Sequence, residues 1–325
     1  MNIGKVLIVD PLHRDALDLL ERDGRFRVVV VPPEDEAVQR ELADTHAITL
    51  RNFRFTAAHV ERARELRLVS RHGVGFDTVD VAALTGRGIP LALALGANAI
   101  SVAEHAFALL LGLVKQIAPY DAAVRAADYA KRGKFAISEI YEKKLLLVGL
   151  GRIGLEMARR ATGFGMKVAA FDPAVTADRF AGAGVELVSD LDAALAEADV
   201  ISLHVPLTDA TRGLISAERI ARMKPGTILL NCARPGLIDE NALADAIGAG
   251  KLGGAGIDTF DQSVVLPDTH VFNTSSRMLR SPYVAALAEE SVRRTSLMTV
   301  GAIIAARDGK LDRGLLANPE VLAQN

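Results

Sequence analysis

A chain of 325 residues, half of it apolar and 24% charged, has the make-up of a globular protein long enough for two domains with sizeable cores. A formal net charge of −2 leaves no basic footprint, which argues against nucleic acid or an anionic membrane as a partner. One cysteine rules out an internal disulfide framework and fits a reducing compartment, and the N-terminal MNIGKVLIVD does not read as a signal peptide, so the cytoplasm is the expected location.

Short β-branched runs then alternate with helix-length amphipathic segments. K-V-L-I-V-D (5–10), V-V-V-V (28–31), A-I-T-L (47–50) and L-R-L-V-S (66–70) predict strands, with a helix over 12–23. The apolar stretch 89–114 is divided by Gly96, Asn98, Ser101, Glu104 and His105, so it reads as a loop and then a buried helix to about Gln116, not a membrane span. A second series follows at 144–148, 167–171, 185–188, 199–203, 227–230 and 254–258, six strands with helices between them. This alternation predicts an α/β protein of two doubly wound, Rossmann-like lobes with parallel sheets covered on both faces. The last helix, about 286–307, is expected to return to the first lobe, which would then comprise 1–97 and 287–325 and leave 98–286 as the dinucleotide domain.

L-L-L-V-G-L-G-R-I-G-L-E-M-A-R-R-A (145–161) is the most informative segment. Gly149, Gly151 and Gly154 form G-x-G-x-x-G between an apolar strand and a helix: a tight turn, a close backbone approach to a pyrophosphate, and helix–strand packing. The helix start offers free N–H groups to phosphates. The next strand ends in F-D-P, placing Asp172 eighteen residues past Gly154, where a carboxylate binds a ribose 2′-OH and repels a 2′-phosphate. NAD is therefore the expected cofactor. S-R-H-G-V-G-F-D-T-V-D (70–80) carries a second glycine-rich turn, where amides around Val74 and Gly75 make either a nest for a carboxylate or a plain turn. Arg234, at the carboxyl end of a strand, is placed to grip the paired oxygens of a 2-keto acid, whereas Cys232 reads as a small buried hydrophobe and not a nucleophile.

These segments, taken with A-N-A-I-S-V-A-E-H-A, H-V-P-L-T-D-A-T-R-G, M-K-P-G-T-I-L-L-N-C-A-R and G-A-G-I-D-T-F, occur in the order found in the D-isomer-specific 2-hydroxyacid dehydrogenases, which the chain resembles over almost its whole length. The resemblance implies a site in a cleft between lobes and a homodimer. It implies that Val74 and Gly75 bind the substrate carboxylate and Arg234 the keto acid. Along the cofactor it places Ser101 or Val102, with His204, Val205, Pro206, Ala233 and Asp258. Arg152, Ile153, Thr211 and Cys232 join that cofactor group as candidates, and Arg51, His72 and Arg280 are candidates for substrate binding. His72 also reads as a packing histidine and His105 as core. No metal is expected.

Two departures stand out. Where the family has a glutamate within D-V-F-x-x-E-P, Ser263 stands here; where it has T-P-H with a proton-donor histidine, this chain reads Ser281-Pro282-Tyr283. A phenol, unperturbed near pKa 10, still donates a proton to a developing alkoxide and requires no carboxylate to orient it. Tyr283, beside Ser263 and Arg234, is therefore the expected donor of an NAD-dependent oxidoreductase that interconverts a D-2-hydroxy acid and its 2-keto acid. Asp261 and His270 are fallback donors. The same replaced pair leaves open an NAD(H)-binding regulatory or sensor protein with little or no turnover.

Overall fold

Runs of Val, Ile and Leu too short for helices become strands here because both faces of each sheet are covered. The computed structural model describes residues 1–175, 184–260 and 266–323. The chain divides into two units, Met1–Asn98 with Leu287–Asn325, and Ala99–Ala286.

The first unit holds a five-stranded sheet of β1 (Lys5–Val9), β2 (Arg27–Val31), β3 (Ala47–Leu50), β4 (Leu68–Arg71) and β5 (Leu91–Leu93), ordered β2-β1-β3-β4-β5 with every pair parallel. The sequence pattern suggested a loop at β5, since three residues show no periodicity. Tertiary pairing makes it a strand: Leu91 aligns with Val69, and on the open edge the Ala317 N–H donates to the Leu91 carbonyl while Asn318 Oδ1 accepts from the Leu91 N–H. The helix Glu289–Arg307 lies against β4 and the helix Arg14–Asp23, burying Val300, Ile303 and Ala306 with Leu20.

The second unit is a seven-stranded parallel sheet: β6 (Lys144–Val148), β7 (Lys167–Phe171), β8 (Val185–Leu187), β9 (Val200–Leu203), β10 (Ile228–Asn231), β11 (Gly254–Ile257) and β12 (Met278–Arg280), ordered β12-β11-β10-β9-β6-β7-β8. Six coincide with the expected runs. The seventh, β12, pairs Met278 with Ala255 at the sheet edge and was hidden by its brevity. The helix Ala99–Val114 crosses β10 to β12 at close range, as a Cβ on Gly256 would stand 2.8 Å from the Leu109 Cβ. From β6 the chain runs outward through β7 and β8, then crosses to β9 on the other side of β6. Strand order thus reverses between β6 and β9, the place where open α/β sheets bind ligands. Among the described residues no single helix is long and apolar enough to cross a membrane.

Candidate active site

In the second unit every candidate residue that the structure describes, apart from those on helices, lies at the carboxyl edge of the sheet. After β6, Gly149 takes φ 98°, and a Cβ there would stand 2.7 Å from the His204 carbonyl that follows β9. Gly154 is equally constrained: its Cβ would meet the Gly149 carbonyl at 2.4 Å, so the helix Arg152–Gly163 sits directly on the turn. Gly151 differs. It is the N-cap, has no side-chain cap, and a Cβ there would meet nothing within 4 Å. The positive end of a three-turn helix therefore faces open space beside an exposed Arg152, an arrangement that fits a pyrophosphate. Ile153 packs on the apolar core. Asp172, just past β7, accepts the Leu150 N–H at 2.8 Å and the Ala174 N–H at 2.9 Å, which leaves part of its carboxylate's acceptor capacity for a ribose.

At the end of β9, the His204 ring meets Ser202 Oγ at 2.9 Å, and burial pushes its pKa down to about 4, so it is neutral at physiological pH. Beyond Val205, the Thr211 hydroxyl donates to the Pro206 carbonyl at 2.6 Å and accepts the Thr208 N–H, tying that loop closed. Val102 and Cys232 lie in the apolar core, and burial together with the nearby Asp258 charge raises the Cys232 thiol pKa.

After β10 the turn is built by Asn231, 2% exposed. Its Nδ2 donates to the Arg234 carbonyl at 2.9 Å and its Oδ1 accepts the Ala233 N–H at 3.0 Å. Half-buried Arg234 donates in turn to the Ala233 carbonyl. After β11, Asp258 is 1% exposed and its carboxylate accepts the Ser281 hydroxyl at 2.6 Å and the Val284 and Ala285 N–H groups at 2.9 Å each. The Asp258 carbonyl takes the Tyr283 N–H at 2.8 Å. Tyr283 has φ 59° and is 48% exposed. Arg280 donates to Asn273 and lies over the Phe260 ring, 5.7 Å from its centroid.

In the first unit, the Arg71 guanidinium donates to the carbonyls of Gly75 (2.7 Å), Leu50 (3.0 Å) and His72 (2.9 Å). Turning those carbonyls toward one cation leaves the Val74 and Gly75 N–H groups without an acceptor among the described residues, as an anion nest requires. His72 is 8% exposed and bonded to Ser296 Oγ at 2.9 Å. Burial, then the Arg51 and Arg71 charges, push its pKa down to about 4.

Comparison with known proteins identifies this edge. Residues 107–285 match the model of the D-isomer specific 2-hydroxyacid dehydrogenase, NAD binding domain. The chain belongs to that family. The second unit is accordingly an NAD-binding domain. The D-3-phosphoglycerate dehydrogenase of Methanocaldococcus jannaschii is 36% identical over 322 residues, 99% of this chain and 60% of that protein. The chain spans less than two thirds of the length of the curated relatives it matches first. Among solved structures, a glyoxylate reductase from Paecilomyes thermophila superposes with TM-score 0.88 at 25% identity, covering 98% of this chain and 100% of that one. The Aquifex aeolicus D-lactate dehydrogenase complexed with NAD and lactic acid gives 0.84 at 28%, covering 96% and 99%.

In this 2-hydroxyacid dehydrogenase family member the geometry corrects several expectations. His72 is a packing histidine, because its ring is enclosed and bonded to Ser296. His105 is not plain core: its Nε2 stands 2.7 Å from Ser281 Oγ and 3.5 Å from Asp258 Oδ1. His270 caps the short helix Val271–Thr274, its Nδ1 accepting the Phe272 N–H, which places the proton of the neutral ring on Nε2. Ser263 and Asp261 lie outside the described residues. Arg71 and Asn231 were not singled out from the sequence. An Asn closing a strand directly before a turn was a usable signal for the second, whereas nothing local marked the first.

Proposed function

We propose that this chain is an NAD-dependent oxidoreductase interconverting a D-2-hydroxy acid and its 2-keto acid, with Tyr283 as proton donor. One observation carries the reading: the phosphate turn, Asp172, the Asn231-built arginine turn and the Asp258–Tyr283 segment all stand at the carboxyl edge of a single sheet. The family match and the D-2-hydroxyacid enzymes among its relatives support it.

Bound NADH supplies the hydride that reduces the keto carbon. The chain's own residues handle binding and the proton. The uncapped helix at Gly151 holds the pyrophosphate, and Asp172 selects a ribose 2′-OH over a 2′-phosphate. The Arg234 fork binds the carboxylate and keto oxygens of the substrate. The Tyr283 hydroxyl passes its proton to the keto oxygen as negative charge develops there, and solvent reprotonates the exposed phenolate. A homodimer is part of the same reading, supported by a set of exposed apolar side chains in the second unit, Ile117, Val124, Tyr129, Ile137 and Tyr141.

The test is spectrophotometric. Purified protein is mixed with NADH and a panel of 2-keto acids, alongside Tyr283→Phe. The wild type turns over at least one acid, and the variant loses about 10²-fold or more in kcat, the usual contribution of a general acid. Equal turnover by both forms removes the tyrosine from the mechanism, and no turnover across the panel removes the dehydrogenase.

A further inference from the structure

Beneath Tyr283 runs a chain of hydrogen bonds whose direction follows from its donors. Ser281 has one hydroxyl proton and gives it to the Asp258 carboxylate at 2.6 Å. At 2.7 Å from the same oxygen, His105 Nε2 must then be the donor, so His105 carries its proton on Nε2. One turn earlier on the same helix, the Ser101 hydroxyl donates to the Ala285 carbonyl at 2.6 Å. Ser101 and His105 are four residues apart and therefore share a helix face. Together they hold the 281–285 segment at both ends.

Between those two grips Asp258 fixes the middle. Its carboxylate takes the Val284 and Ala285 N–H groups, and its carbonyl takes that of Tyr283. Tyr283 sits at φ 59°, a left-handed backbone that a bulky residue keeps only where its surroundings over-determine it. If the serine rotor is released, the carboxylate loses an oriented donor and the segment is free to relax to negative φ, which swings the phenol off its present course.

We propose that His105 is a positioning residue for Tyr283, acting through Ser281 and Asp258 to hold the 281–285 turn in its left-handed form. The catalytic part of this rests on Tyr283 as the proton donor; the holding of the turn does not. His105→Leu and Ser281→Ala break the chain at different links, while His105→Gln keeps an N–H donor and Ser281→Thr keeps the hydroxyl. Two measurements are made on all four proteins and the wild type: hydrogen exchange of the amides at 283–285, and steady-state kinetics with NADH and a 2-keto acid.

In the Leu and Ala forms exchange at 283–285 rises about tenfold or more, and kcat falls about tenfold or more while KM for NADH stays within about twofold. The Gln and Thr forms restore both readouts. Unchanged exchange in the Leu and Ala forms overturns the proposal. A loss that Gln and Thr do not restore overturns it too, as does a KM for NADH that climbs in step with the loss of kcat, since each marks general disruption. Should the wild type reduce no keto acid at all, the donor reading of Tyr283 fails, and the exchange comparison alone decides whether His105 holds the turn.

Discussion

At the scale of single residues, the site is governed by where charge is allowed. Asp258 keeps a carboxylate almost fully out of water, which is tolerable only because three donors converge on it. Two histidines show the opposite solution. His72 and His204 are each pushed down to about pKa 4 by burial, and the Arg51 and Arg71 charges add to the effect on His72. Both stay neutral in the folded chain at pH 7, whereas the unfolded chain protonates them near pH 6.5. The folded state binds fewer protons between those values, so stability is fully present above about pH 6.5 and falls as pH drops toward 4. Urea unfolding midpoints at pH 7 and pH 5 should show that loss, and His72→Asn should make the difference smaller. An unchanged slope in the variant would exclude His72 as a source.

At the scale of elements, the three glycines of the phosphate turn separate structure from binding. Gly154 is packed against backbone, so Gly154→Ala forces the helix Arg152–Gly163 off the turn, at a cost of about 1–3 kcal/mol. Gly151 faces open space, so Gly151→Ala costs the fold only about 1 kcal/mol or less, chiefly as an N-cap change. In the proposed site its added methyl group meets the phosphates, and NADH affinity should fall about tenfold. Thermal unfolding with and without NADH, set beside a fluorescence titration, distinguishes the two. Equal losses of stability and affinity in both variants would show that the turn is not a phosphate cradle. G-x-G-x-x-G and its flanking strand and helix were legible in the sequence because each is a local pattern. β5 and β12 were not, since a three-residue strand is defined by its neighbour's open edge.

At the scale of the whole molecule, apolar side chains remain uncovered in the second unit. Val124, on the helix Ile117–Arg125, and Ile137, further along the chain, are 58% and 60% exposed. If two copies bury them, sedimentation equilibrium at micromolar concentration should give a dimer, and Val124→Glu should shift it to monomer with the far-ultraviolet dichroism unchanged. A monomeric wild type would exclude the assembly. The chain also matches relatives that are considerably longer, so the 36% identity to a phosphoglycerate dehydrogenase spans 60% of that protein.

The order of β-branched runs, the glycine spacing and the acid after the second strand of the series were enough, on sequence alone, to establish an α/β chain with a dinucleotide turn. Those features depend on residues within about thirty positions of one another, where periodicity and turn chemistry act directly. The pairing of His105 with Ser281, 176 positions away, and of His72 with Ser296, 224 away, came only with the tertiary structure. So did the left-handed backbone of Tyr283, which Asp258 maintains from the neighbouring strand. Hydrogen bonds between distant segments leave no periodic trace in a sequence. That is why Tyr283 could be singled out as a candidate from the sequence, while what holds it in place could not.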